Sequence, residues 1–172
     1  MKVPITCHPA SLDPQRLLAE CKVQRTRSSG PGGQHRNKVE TAIVITHQPS
    51  GTKAAASERR QQGQNQRVAL FRLRIHLALE VRCPIDPEAA PGKLWQARCR
   101  AGRIVVSGSH DDFPTLLAEA LDRLAALDMN VKTAALQLGC SLSQLVKFLK
   151  TEPRALAAVN AHRRRQDLAP LR

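Results

Sequence analysis

The sequence predicts an α+β fold: a small antiparallel sheet with one long helix packed on it, followed by a mostly helical C-terminal part. Three observations lead there. Ala42 to Gln48 is a β-branched run closed by the turn residues Pro49-Ser50-Gly51. Ser57 to Arg82 carries apolar residues at Val68, Leu70, Phe71, Ile75 and Leu79 with arginines between them. Pro84, Pro87 and Pro91 with Gly92 then break the chain. The expected organisation is a first domain over 1–83, a linker over 84–93 and a helical subdomain over 94–172.

Taken in order, Asp13-Pro14 supplies an N-cap and an N1 proline for a helix of two turns through Leu17, Leu18 and Cys21. Lys22 to Arg27 reads as a strand entering the glycine-rich stretch Gly30-Pro31-Gly32-Gly33-Gln34. Adjacent glycines reach backbone angles closed to other residues and let main-chain amides approach a ligand. Past that stretch, Thr52 to Ser57 returns as the hairpin partner of the β-branched strand. Ser57 followed by Glu58 marks the start of the long helix, whose outward side carries Arg59, Arg60, Arg67, Arg72 and Arg74.

In the C-terminal part, Arg103 to Val106 reads as a strand turned by Ala101-Gly102. Thr115 to Leu127 is an amphipathic helix, and Val131 to Leu138 and Ser141 to Lys150 are shorter ones separated by Gly139-Cys140. That last pair has helix-turn-helix spacing, with a packed helical subdomain as the simpler account. A final helix opens at Glu152-Pro153 and ends in the basic cluster Arg163, Arg164 and Arg165.

Net charge narrows the function. The chain has 172 residues and a formal charge of +13, which points to a polyanionic partner. Residues 1–82 hold 14 Lys/Arg against 5 Asp/Glu, a net of +9, so the excess gathers around the glycine-rich stretch. Apolar runs are interrupted by charges and fall short of the ~20 residues of a spanning helix. The N-terminus lacks the apolar core of a signal peptide, and the expected compartment is the cytoplasm. Aromatics are 2% of the chain, which disfavours readers that stack single-stranded bases. The five cysteines have no Cys-x-x-Cys spacing and read as reduced, small buried residues, with Cys83 and Cys99 as a conceivable pair or shared metal site. No metal site is assigned from spacing. Serine-elbow, His-Glu-x-x-His and Walker patterns are absent.

From Lys22 to Arg82 the order of features is a strand, a Gly-Gly-Gln loop continued by His35, Asn37 and Lys38, a hairpin strand ending Ile-Thr-His-Gln-Pro-Ser-Gly, and Glu58-Arg59-Arg60-Gln61 opening an arginine-rich helix. This order resembles the catalytic domain of class I peptide-chain release factors and of the stand-alone ribosome-rescue hydrolases related to them. The resemblance implies hydrolysis of the peptidyl-tRNA ester in the peptidyl-transferase centre of the large ribosomal subunit, with no cofactor. It implies that Gly32 and Gly33 shape the loop and that the Gln34 amide stabilises the oxyanion while its side chain constrains the attacking water. The family's glutamine is commonly N-methylated, which adds a glutamine methyltransferase as an expected partner of Gln34.

His35, Arg36, Asn37, Lys38, Arg59, Arg60 and Arg67 are expected on ribosomal RNA, together with Arg163, Arg164 and Arg165, in a protein acting as a monomer and away from membranes. Pro31 and Arg36 replace the alanine-like and aliphatic residues usual there. With 31 residues before Gly32, a codon-reading domain is not expected, and residues 94–172 replace the basic tail of the rescue proteins. The expected function is codon-independent peptide release. The alternatives are a non-catalytic ribosomal RNA-binding or assembly protein and a helix-turn-helix DNA-binding protein.

Overall fold

The computed structural model describes residues 8–26 and 41–172. It is α+β and divides into two compact units, residues 9–81 and residues 82–172 with 1–8.

The first unit is a three-stranded antiparallel sheet covered by a helix. A 3-10 turn at Pro9–Ser11 precedes α1 (Pro14–Ala19), where the Asp13 side chain accepts from the Gln15 amide and Pro14 occupies the first turn. Cys21 does not extend this helix; it begins β1 (Cys21–Thr26). β2 (Ala42–His47) is the central strand, paired with β1 on one side and with β3 (Lys53–Ala56) on the other. Alternation in β3 buries Ala54 and Ala56 and exposes Lys53 and Ala55. The buried faces of β2 and β3 meet α2 (Gln62–Glu80).

Two expectations about α2 are corrected. Its buried face is centred on Ala69, Leu70, Leu73 and Leu77, whereas Val68, Phe71 and Leu79 are not the core of the stripe, Val68 and Phe71 being half-buried. Alanine allows the close approach of helix to sheet that a larger residue would block. The helix also starts at Gln62 rather than after Ser57, because the Glu58 carboxylate accepts from the Ser57 amide and pairs with Arg72 instead of capping a helix. The Glu58 backbone amide first, then the Ser57 amide and Arg72, hold the Glu58 carboxyl below the usual carboxylate range.

The second unit is mostly helical. α3 (Lys93–Arg98) leads into a minimal hairpin, β4 (Cys99–Arg100) and β5 (Arg103–Ile104), turned by Ala101 and Gly102, both at positive φ. The helix at Trp95 was not expected from the sequence, and the strand expected over 103–106 ends at Ile104. α4 (Phe113–Ala126), α5 (Val131–Gln137), α6 (Leu142–Lys150) and α7 (Pro153–Arg165) follow. Phe148 of α6 packs edge-on against Trp95 with centroids 5.7 Å apart, and tilted against Phe113 at 5.3 Å. The buried Trp95 indole donates to the Leu138 carbonyl at 2.7 Å, so this core also satisfies its polar atom. Fully buried leucines at 116, 117, 124, 138, 145 and 149 each contribute about 2 kcal/mol of transfer free energy.

Residues 84–93 belong to this unit and are held to α4. Buried Arg123 donates to the carbonyls of Asp86, Pro87 and Ala89, and Glu119 accepts from the Gly92 amide at 2.6 Å. Cys99 does not meet Cys83. Its thiol donates to the Gly139 carbonyl, and Cys83 lies with His8 and Asp122.

Candidate functional site

The residues expected to be catalytic, Gly32, Gly33 and Gln34, lie outside the described residues, as do His35, Arg36, Asn37 and Lys38. What is described is the scaffold on either side of them. Thr26 at the end of β1 is the Cα partner of Ala42 at the start of β2. Chain 27–41 therefore leaves and returns at neighbouring strands on one end of the sheet. Ala56, the last residue of β3, pairs with Ile43, so residues 57–61 depart from the same end.

Asn65 ties these two departures together. It is fully buried in the first turns of α2. Its side-chain amide donates to the Thr41 carbonyl at 2.7 Å and to the Arg59 carbonyl at 2.9 Å, and its side-chain oxygen accepts from the Arg59 amide at 2.8 Å. Three bonds to fixed backbone groups leave this amide no freedom to reorient, so the end of β2's approach is registered against the backbone of Arg59. Sequence reasoning missed Asn65. The available signal was a polar residue at the head of the i, i+4 stripe Asn65, Ala69, Leu73 and Leu77.

The arginines expected on the outward side of the long helix divide into two groups. Arg59, Arg60 and Arg67 are exposed. Arg72 and Arg74 have structural duties: Arg72 donates to the Ala55 carbonyl and pairs with Glu58, and Arg74 donates to the Ala10 carbonyl at 2.9 Å. In the second unit Arg164 and Arg165 are exposed at the end of α7, while Arg163 is half-buried and donates to the Ala169 carbonyl, folding the following residues back on the helix.

At the opposite end of the sheet, buried His47 bridges Glu20 at 3.0 Å and Ser50 at 2.7 Å, and Thr52 donates to Glu80 at 2.9 Å. The Ser50 hydroxyl also accepts from the Thr52 amide. These contacts hold the turn between β2 and β3 and tie it to α1 and α2. Cys21, beside Glu20, has its thiol pushed up to about 11, by burial first and by the Glu20 charge second. It stays protonated at neutral pH and offers no nucleophile. Among the described residues no helix is long and apolar enough to cross a membrane.

Residues 17–92 match the family model of the RF-1 domain. The chain is 36% identical over 77 residues to peptide chain release factor 1 of Rickettsia typhi, covering 45% of this chain and 22% of that relative. It is 42% identical over 67 residues to peptide chain release factor 2 of Paramagnetospirillum magneticum, covering 39% and 18%. Against peptide chain release factor 1 of Acidiphilium cryptum the identity is 37% over 84 residues, covering 49% and 23%. The chain thus spans about a fifth of the length of these relatives.

Proposed function

We propose that this chain, whose residues 17–92 carry the RF-1 domain of the class I release-factor family, hydrolyses the ester of peptidyl-tRNA on the ribosome without reading a stop codon. The observation that carries the reading is the span of the match. It includes Gly32, Gly33 and Gln34, both strands from which their segment departs, and the helix that buries Asn65.

In the proposed reaction water attacks the ester carbonyl carbon. The bond to the ribose oxygen of the tRNA breaks, that oxygen takes up a proton, and the peptide leaves as a carboxylic acid. The Gln34 main-chain amide faces the charge that develops on the carbonyl oxygen, and a preorganised donor of this kind contributes about 3 to 4 kcal/mol. The Gln34 side chain limits the nucleophile to water, and N-methylation by a glutamine methyltransferase would act there. Asn37, Lys38, Arg59, Arg60 and Arg67 hold the unit on ribosomal RNA through phosphate contacts, with no metal or organic cofactor. Residues 93–172 lie outside the family match and belong to the second unit.

The test is peptide release from purified ribosomes carrying peptidyl-tRNA, with and without mRNA in the A site. Wild type releases peptide in both cases. Gln34→Ala binds as wild type and releases about 100-fold more slowly or worse. Equal release by the two proteins would sink the proposal and leave a non-catalytic ribosome-binding role.

A further inference from the structure

His8, Cys83 and Asp122 form a buried cluster within the unit of residues 82–172 and 1–8. Among the described residues they are the group of three potential metal ligands that the fold brings together, with one ligand atom from each lying within 4.8 Å of the others. The three come from distant parts of the chain and are largely buried, with exposures of 8%, 8% and 4%. The surroundings prepare the carboxylate. One Asp122 oxygen accepts from the Cys83 amide at 3.1 Å and from Arg82 at 3.3 Å, which fixes the orientation of the group. Metal-binding carboxylates are commonly oriented by outer hydrogen bonds of this kind.

We propose that His8, Cys83 and Asp122 bind a divalent zinc ion. One imidazole, one thiolate and one carboxylate form a mixed nitrogen, sulfur and oxygen set that suits a borderline-soft cation such as zinc and gives little to magnesium or calcium. A neutral imidazole with two anions matches the ion's two positive charges, with Arg82 adding one further positive charge beside Asp122. Ligand atoms around tetrahedral zinc stand about 3.3 to 3.8 Å apart, so a contraction of at most about 1.5 Å from the 4.8 Å bound closes the set. The fourth position falls to water: Cys83 and Asp122 also line an open cavity of about 360 Å³ with Pro84, Ile85 and Ala125. Binding releases the Cys83 thiol proton to solvent, so affinity rises with pH. The ion would pin residue 8 to α4 and to the residue that follows Arg82.

Cobalt(II) titrated into the full chain is the test, because a thiolate ligand gives a near-ultraviolet sulfur-to-cobalt charge-transfer band and tetrahedral geometry gives strong visible bands. One equivalent is expected to produce both, and zinc to displace cobalt stoichiometrically. The Cys99→Ser/Cys140→Ser double variant keeps the bands. Cys83→Ser loses the charge-transfer band, and His8→Gln weakens cobalt binding by at least about tenfold. Where Cys83→Ser fails to fold, His8→Gln alone decides. Absence of bands in the wild type, persistence of the charge-transfer band in folded Cys83→Ser, or unchanged affinity in His8→Gln overturns the site.

Discussion

The side-chain amide of Asn65 donates to the backbone carbonyl of Thr41 across 2.7 Å, joining the head of the long helix to the residue that precedes the central strand. The same side chain holds both backbone groups of Arg59. Removing it leaves the Arg59 amide and the Thr41 and Arg59 carbonyls without this partner, and each of these part-buried groups that water does not reach costs about 1 to 3 kcal/mol. Asn65→Leu, close in size, is expected to destabilise the first unit by about 3 kcal/mol in urea denaturation. Asn65→Asp keeps the acceptor for Arg59 but turns both donors into acceptors, and is expected to be no better at neutral pH. A cost below about 1 kcal/mol for Asn65→Leu, under the range for one stranded group, would show that the clamp does not hold these residues.

The exposed arginines should separate from the engaged ones. Replacing Arg59, Arg60 and Arg67 by Gln leaves their surroundings in the fold intact, so stability should stay within about 0.5 kcal/mol of wild type. Binding to ribosomal RNA should weaken, and the slope of log affinity against log salt should fall by about 1 for each phosphate that is no longer neutralised. Arg72→Gln should do the reverse. It removes the pair with Glu58 and the bond to Ala55, and a partly exposed pair of this sort is worth about 0.5 to 1 kcal/mol of stability with little effect on RNA affinity.

The parts of this fold that are legible in the sequence are those dictated locally. β2 and β3 follow from a β-branched run, a Pro-Ser-Gly turn and alternation, and α4 from its apolar periodicity. The start of α2 is misread because Ser57-Glu58 has the form of a cap, whereas the Glu58 carboxylate is taken up by the Ser57 amide and by Arg72, 14 residues away. α3 is hidden because its six residues gain their place from the Trp95 bond to Leu138, 43 positions away. Within the candidate site the glycine-rich motif is plain from residue order alone, whereas the Asn65 clamp and the division of the arginines depend on which neighbours the fold supplies.

Glu119 carries a pH prediction. Burial pushes its carboxyl above the usual range, outweighing the Gly92 amide and Arg123, which draw it down. A carboxyl whose folded pKa is raised favours the fold while protonated, and that contribution is lost as pH rises through the folded value. Glu119→Gln retains an oxygen to accept from Gly92 and cannot ionise. The variant is expected to match wild type below about pH 4, near the ordinary glutamate value, and to have the higher Tm once pH has risen far enough to ionise the wild-type carboxyl. Parallel Tm curves across that range would count against the burial penalty.

Arg123 should decide whether residues 84–93 stay on the second unit. Its guanidinium is buried at 2% exposure and reaches three carbonyls in one short stretch, at Asp86, Pro87 and Ala89. Lysine carries the same charge on a single nitrogen and lacks the planar fork that spans these acceptors. Arg123→Lys is expected to cost about 2 kcal/mol, since hydrogen bonds to a charged group are worth about 1.5 to 3 kcal/mol and solvent recovers part of the loss at exposed carbonyls. Arg123→Met, which abolishes all three bonds, should cost about 3 kcal/mol or more. Because the freed acceptors cluster between two prolines, the loss should be local: amide exchange at Ile85, Glu88, Ala89 and Ala90 and proteolytic cleavage within 84–93 should rise well before the α4 amides lose protection. Simultaneous loss of protection across both segments would mean that Arg123 supports the core of α4 itself rather than the stretch laid over it.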